Sequence, residues 1–557
     1  MLETVMKPLA ALIPAFALLA GGCAAAQEPA ASTPPAVVPS TGDSPTLVVA
    51  ISVDQLSSDL FEQYRAHYTG GLARLLNGAV FPNGYQAQAA TETCPGHSTI
   101  LTGFYPANTG IIANGWADFT VARDNKEIYC AEDPARVPQL SEERFVASSI
   151  NLLVPTLGGR LKAVSPGSRN VAISGKDRAA LMMAGPTADA IFWWTGKGFG
   201  NFGASGPSAS VDRVNAQVAA TLASGAPALP VPSYCDSRSI PFAVGERTVG
   251  TGSFALTADD GRGFLASPRS DSAVLDIAEG LVAEHDLGGR GVVDVLSISL
   301  SATDYVGHGY GTNGVESCIT VANIDRELGD FFAALDARGT DYVVVLTADH
   351  GGLDIPERAT AQGAPDARRV DPVLAPEAVG ARISEAMGFE VPALAGDSPF
   401  GDVYVHPLVP AERRAEVLSM AQGLYAAHPD VAQTYTSAQI MEVDIPVGDP
   451  RGWSLLERLR ASHYPGRSGD LLVLLQPEVT PIPDPGSYIA THGSPWDYDR
   501  RVPILFWRTG IANFEQSLPI VTPDILPTLM GVLGMPAAEG LDGVCRDILA
   551  GAGSSCE

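Results

Sequence analysis

Apolar, β-branched runs that stop abruptly at a charged or small polar residue recur along the chain. Residues 46–53 read Thr-Leu-Val-Val-Ala-Ile-Ser-Val and end at Asp54. Without alternating polar positions such a run is apolar on both faces, which predicts a buried parallel strand. The same design returns at residues 171–174, 292–300, 342–347, 471–475 and 502–507. Helical patterns separate several of these runs, as at residues 71–77 and 321–335. This alternation implies an α/β sandwich, a central mostly parallel sheet flanked by helices. Ligands of such sheets bind beyond the carboxyl ends of the strands, where Asp54, Lys176, Asp304, Asp349 and His350 fall. Residues 195–290 and 355–480 interrupt the alternation and are rich in Gly, Pro and Ala. They are expected to be insertions that cap the site of one catalytic domain over residues 46–557.

Composition adds an exclusion and a compartment. The 557 residues carry a formal net charge of -27, which argues against nucleic acid and anionic lipid as partners. A small anionic substrate would therefore need local positive charge, from metals or a few Lys and Arg. No internal stretch is long and charge-free enough to span a bilayer, and a monomer is expected. Lys7 precedes an apolar run at 9–20, and Ala24-Ala25-Ala26 offers a small-residue cleavage site. These features predict a signal peptide over residues 1–26 and a periplasmic or secreted protein. Met6 would give a better positive start than Met1. Residues 27–45, mostly Ala, Pro, Ser and Thr, read as a flexible linker. Cys23 adds lipoprotein anchoring as an alternative, although Ala20 stands where a lipobox usually has Leu. Cys94, Cys130, Cys235, Cys318, Cys545 and Cys556 remain, an even set that predicts disulfides in an exported chain. Cys545 and Cys556 are close enough in sequence to bridge.

Residues 91–99, Thr-Glu-Thr-Cys-Pro-Gly-His-Ser-Thr, form a Pro/Gly-punctuated turn before the apolar pair Ile100-Leu101. A helix start is predicted there, with a hydroxyl facing an anion-binding N-terminus. Thr and Ser cap helices routinely, so the turn alone is weak evidence. Asp304 and His308, four residues apart after a strand, share a face if the segment is helical. Asp349-His350 ends another strand before a Gly pair that permits a sharp exit, and His492 lies in Thr-His-Gly-Ser. Singly, each is an ordinary hydrogen-bonded polar residue. Three acids and three histidines gathered at strand ends favour Zn²⁺ or a similar divalent ion.

On these residues the sequence resembles the alkaline phosphatase superfamily, and within it the periplasmic PafA-type phosphatases with a threonine nucleophile. The match rests on Asp54, Thr93-Cys-Pro-Gly-His97, Asn114, Lys176-Asp-Arg178, Asp304-Tyr-Val-Gly-His308, Asp349-His350-Gly and His492, in family order. The resemblance implies two Zn²⁺ per chain, one held by Asp304, His308 and His492. The other would be held by Asp54, Asp349 and His350, with Thr93 joining through its hydroxyl oxygen. It also implies a covalent phosphothreonine at Thr93. Physical chemistry agrees, because a neutral Thr hydroxyl is a poor nucleophile without a base or a metal. Zinc lowers the pKa of bound water from about 15.7 to about 7, worth roughly 12 kcal/mol. A positioned base contributes about 3–5 kcal/mol, so His97 is assigned to the structure of the turn.

Lys176 and Arg178 follow the strand at 171–174; if the backbone stays extended, both face the metals. Together they match the two charges of a phosphate monoester, whereas a diester carries one charge and a second bulky group. Asn114, in Ala-Asn-Gly-Trp, offers an amide to a phosphoryl oxygen, with a plain turn residue as the alternative. The expected function is a dizinc alkaline phosphatase acting on a broad range of small phosphate monoesters. The rival is a phosphodiesterase or nucleotide pyrophosphatase, which shares Asp54, Thr93 and the metal ligands but not the Lys176/Arg178 pair. A sulfatase is disfavoured because Cys94 runs directly into Pro95, without the Cys-x-Pro-x-Arg pattern.

Overall fold

The computed structural model describes residues 44–136, 146–201, 205–549 and 555–556. The expected signal peptide, Cys23 and residues 27–43 of the linker lie outside these. Eight strands organise the chain: β1 (Leu47–Val53), β2 (Ala79–Tyr85), β3 (Asn170–Ser174), β4 (Ala190–Trp194), β5 (Asp294–Leu300), β6 (Tyr342–Thr347), β7 (Leu471–Leu475) and β8 (Arg501–Trp507). Among the described residues a ten-stranded sheet contains all of them but β7, in the order β2-β8-β6-β1-β5-β3-β4, with two-residue strands at its margins. From β6 to β4 every pairing is parallel.

Both faces of this sheet are covered. Leu47, Val49 and Ile51 enter one core with Ile277 and Leu281 of the helix Pro268–Glu284 and with Leu328 and Phe332 of Val315–Ala337. Val48 and Ala50 enter the opposite core with Ile525, Leu526 and Leu529 of Ile525–Val532. Burial of successive residues on opposite faces is why the strands read as unbroken apolar runs. Each fully buried Val, Leu or Ile stabilises by roughly 1.5–3 kcal/mol, so β1 is a rigid platform for the residue that comes directly after it.

Two strand expectations change. The run at 502–507 belongs to β8, which is antiparallel to both β6 and β2; a strand buried on both faces carries no directional signal in its composition. The run at 471–475 is β7, outside the central sheet. It pairs antiparallel with Gly401–Val405 and Val431–Thr436 in a four-stranded sheet. Leu471, Val473 and Leu475 are buried there in a separate core with Val379, Ile383, Val417 and Tyr425. A second local core hides an apolar strand as completely as the central one, and periodicity does not tell them apart. Within 195–290, the helices Ala209–Ser224 and Pro268–Glu284 lie in the core of the central sheet.

Candidate metal centre

Asp54, Lys176, Asp304 and Asp349 emerge within four residues of the carboxyl ends of β1, β3, β5 and β6. The helices that matter are α1 (Thr93–Ile100), α2 (Asp177–Ala184) and α3 (Ala302–Tyr310). In α3 the four-residue spacing brings His308 Nε2 to 3.3 Å from Asp304 Oδ1, and His492 Nε2 reaches the same oxygen at 3.3 Å. On the other side, His350 Nε2 stands 3.5 Å from Asp54 Oδ1 and 3.3 Å from Asp349 Oδ2. One ligand atom from each of Asp304, His308 and His492 falls within 4.8 Å of the others; so do those of Asp54, Asp304 and His350. All six residues are buried.

The second contacts of the histidines fix their tautomers. Nδ1 of His308, His350 and His492 lies 2.8 Å from the carbonyl oxygens of Ala490, Gly351 and Thr91, respectively. A carbonyl only accepts, so each Nδ1 donates and each Nε2 presents a bare lone pair. Three such lone pairs facing carboxylate oxygens repel them unless a cation sits between. Asp54 Oδ1 and His350 Nε2 are fully buried without a hydrogen-bond partner, and an unmet buried polar atom costs about 1–3 kcal/mol. The donors are carboxylate oxygen and neutral imidazole, the set that zinc takes. The residues fit the ion.

Protonation points the same way. Burial, then the charge of Asp349, pushes the Asp54 carboxyl up to about 6 despite neighbouring Lys176. Burial and the proximity of His350 push His492 down to about 3, which keeps its imidazole neutral and able to ligate. Burial opposes ionisation of Asp304, and the Lys176 ammonium 2.6 Å away favours it.

Thr93 opens α1 and is almost fully buried. Its Oγ1 lies 3.4 Å from Lys176 Nζ and 3.4 Å from Arg178 Nη2. The premise of an extended segment fails, because α2 begins at Asp177; Lys176 is its extended N-cap and Arg178 sits in its first turn. Both cations still reach the hydroxyl. Lys176 Nζ also pairs with Asp54 Oδ2 and Asp304 Oδ2, at 2.6 Å each. Asn114 Oδ1 accepts from the Cys94 N–H at 2.9 Å, which turns the amide donor of Asn114 the other way. His97 is part of the turn, as expected, and also touches the centre: its Nδ1 is 2.9 Å from the Thr93 carbonyl and 3.0 Å from Asp349 Oδ2.

The structure thus gathers all ten residues singled out from sequence and adds four that sequence did not reveal. Gln55 donates to Asp304 and Asp349. Glu92 accepts from the Asn114 N–H at 2.8 Å. Tyr129 donates to Asp177 at 2.7 Å, beside Arg178. Cys94 is bridged to Cys130, and the other pairs are Cys235–Cys318 and the expected Cys545–Cys556. Glu92 and Gln55 flank motif residues, which was the one available signal; Tyr129 and Cys130 meet the site only through the fold. A cavity of about 440 Å³ adjoins Glu92, between residues 112–119 and a segment carrying Phe400 and, on the strand Gly401–Val405, Tyr404.

A parallel-centred sheet with paired carboxylate–imidazole sets at its strand ends is the architecture of the alkaline phosphatase superfamily. Within it, residues 48–494 match the type I phosphodiesterase / nucleotide pyrophosphatase family, to which the chain belongs. The chain is 50% identical over 518 residues to alkaline phosphatase PhoK of Sphingomonas sp, covering 92% of each. It is 44% identical over 509 residues to alkaline phosphatase PhoD of Zymomonas mobilis, covering 90% of this chain and 88% of PhoD. The crystal structure of wild-type alkaline phosphatase PafA matches with a TM-score of 0.77 at 26% identity, covering 90% of this chain and 98% of PafA.

Proposed function

We propose that the protein is a dizinc alkaline phosphatase that hydrolyses phosphate monoesters through Thr93. The carrying observation is the placement of two cations, Lys176 and Arg178, each 3.4 Å from the hydroxyl of Thr93. Two positive charges at one nucleophile suit a dianionic phosphoryl group and are excessive for a monoanionic diester. The names of PhoK and PhoD support the same reading. So does a PafA variant, 25% identical, in which a Thr, an Asn, a Lys and an Arg were replaced together. Those four positions have the same spacing along their chain as Thr93, Asn114, Lys176 and Arg178.

Asp304, His308 and His492 would hold one zinc, and Asp54, Asp349 and His350 the other, with Thr93 at its edge. When bound, the two ions supply Lewis-acid charge to the phosphoryl oxygens and lower the pKa of a hydroxyl beside them. The protein contributes alignment. Thr93 Oγ1 attacks phosphorus and the ester alcohol departs, leaving phosphothreonine; water then attacks the same phosphorus, and Thr93 leaves as inorganic phosphate forms. Arg178 and the Asn114 amide hold equatorial oxygens through both steps, and Lys176 balances charge between phosphate and carboxylates.

Three disulfides support an oxidising compartment, in line with export by a signal peptide at 1–26. No helix of the described residues is long and apolar enough to cross a membrane. Residues 355–480 carry the second sheet and the loop at Phe400 beside the site, the role of a cap on a catalytic domain spanning 46–557. A phosphodiesterase is the second reading, favoured by the family match. Thr93→Ala decides whether the proposed nucleophile is right: it should abolish ester turnover with zinc still bound. Near-normal rates would remove Thr93 from its role.

A further inference from the structure

Gln55 comes directly after Asp54 and is almost fully buried, 2% exposed. Its backbone has φ of +67°, in the left-handed region that a Gln side chain disfavours. Such a conformation persists only where surroundings enforce it, and it marks functional sites more often than chance. Here the turn does two things at once. The backbone N–H of Gln55 donates to Asp349 Oδ1 at 3.1 Å. The side-chain amide reaches across to donate to Asp304 Oδ1 at 2.9 Å. One residue therefore grips a carboxylate from each of the two ligand sets.

The surrounding chain is shaped to admit that side chain. A Cβ at Gly307, in α3 between Asp304 and His308, would overlap Gln55 Oε1. A Cβ at Gly352, two residues after His350, would lie 2.8 Å from Gln55 Cδ. Both neighbours lack the atom that would displace the amide. Strain, reach and a glycine cradle coincide at one position.

We propose that Gln55 is a positioning residue that sets the separation of the two halves of the metal centre. The inference rests on the dizinc reading and adds a residue outside both ligand sets. The Gln55 N–H, together with that of His350 at 3.0 Å, occupies Asp349 Oδ1 and leaves Oδ2 to face the centre. On Asp304 the amide meets Oδ1 itself, the oxygen that faces His308 and His492, and so fixes that oxygen in place. Outer contacts of this kind typically carry about 10–100-fold in metal affinity.

The test compares Gln55→Gly and Gln55→Asn with wild type. Both accept positive φ, and neither reaches Asp304: Gly lacks a side chain and Asn is one methylene short. Zinc affinity is read by competition with a chromophoric chelator, and the stability of chelator-treated protein by denaturant unfolding. We expect about 10–100-fold weaker zinc binding in both variants, with metal-free stability equal to or above wild type because the strain is relieved. Unchanged zinc affinity in either folded variant would overturn the assignment. So would a loss of affinity matched by a loss of metal-free stability, the signature of a merely structural residue. Wild-type zinc uptake without ester turnover would sink the phosphatase reading while leaving Gln55 in place; no uptake at all would sink both.

Discussion

The ammonium of Lys176 and the carboxylate of Asp304 lie 2.6 Å apart, both almost without exposure. The same ammonium is 2.6 Å from Asp54 and 3.4 Å from the Thr93 hydroxyl. Lys176 thus stands between the carboxylates that would hold metal and the oxygen that would attack phosphate. Removing it takes a competing cation from the carboxylates and a stabilising one from the phosphoryl group. Lys176→Ala should therefore retain zinc at wild-type affinity or tighter. Its kcat/KM for monoesters should fall about 10–150-fold, the worth of one charged hydrogen bond at about 1.5–3 kcal/mol. Zinc loss on chelator titration would show that Lys176 builds the metal site instead.

Arg178 depends on a neighbour that touches no substrate. Burial opposes its charge, and the adjacent Asp177 carboxylate offsets that cost, with Tyr129 packed beside it. Tyr129 also donates to Asp177 at 2.7 Å. Tyr129→Phe should free the Arg178 side chain to wander, raising KM for monoesters several-fold with kcat less affected. Steady-state kinetics with an aryl phosphate check it; an unchanged KM would show that Arg178 is held without Tyr129.

The Cys94–Cys130 bridge joins the second residue of α1 to the segment that carries Asn114, whose carbonyl accepts from the Cys130 N–H at 2.9 Å. It closes a loop with a sequence separation of 36, worth about 4 kcal/mol in the chain-entropy account. Replacing both cysteines by Ala should lower unfolding free energy by roughly 2–4 kcal/mol and reduce kcat/KM by loosening Asn114. Denaturant melts with and without reductant measure the first effect. Equal stability in all forms would contradict the assigned bridge.

Acid stability should depend on His463, which is 1% exposed and bonded through Nε2 to Ser437 Oγ at 2.9 Å. Burial, aided by Arg460, pushes its imidazole down to about 4. Between that value and the ordinary 6.5 the unfolded chain binds the proton and the folded one does not. Folding stability from this group is therefore complete above about 6.5 and is lost as pH falls toward 4. His463→Gln should flatten the slope of unfolding free energy against pH across this window. An unaltered slope would mean the group titrates normally.

Much of the site was legible in the chain because strand-end chemistry is written locally. Asp54, Asp304 and Asp349 each stand at or just past the end of an apolar run, and the four-residue step from Asp304 to His308 needed only a helix to become a pair of ligands. The direction of β8 and the separate sheet of β7 were not legible, since burial on both faces erases the polar alternation that marks a sheet's surface. Arg178 reached Thr93 by another route than expected, from the first turn of a helix. Tyr129 and Cys130 lay hidden because their roles depend on contacts across 36 and 48 residues of chain. Gln55 was adjacent to a motif residue, but its grip on Asp304 spans 249 residues.

The most direct measurement is the ratio of kcat/KM for an aryl phosphate monoester to that for the matching diester, with zinc-loaded protein at mildly alkaline pH. A monoesterase built on Lys176 and Arg178 should give a ratio far above one, and that ratio should decrease sharply when both are replaced by Ala. A wild-type ratio below one would contradict this assignment and make the protein a phosphodiesterase.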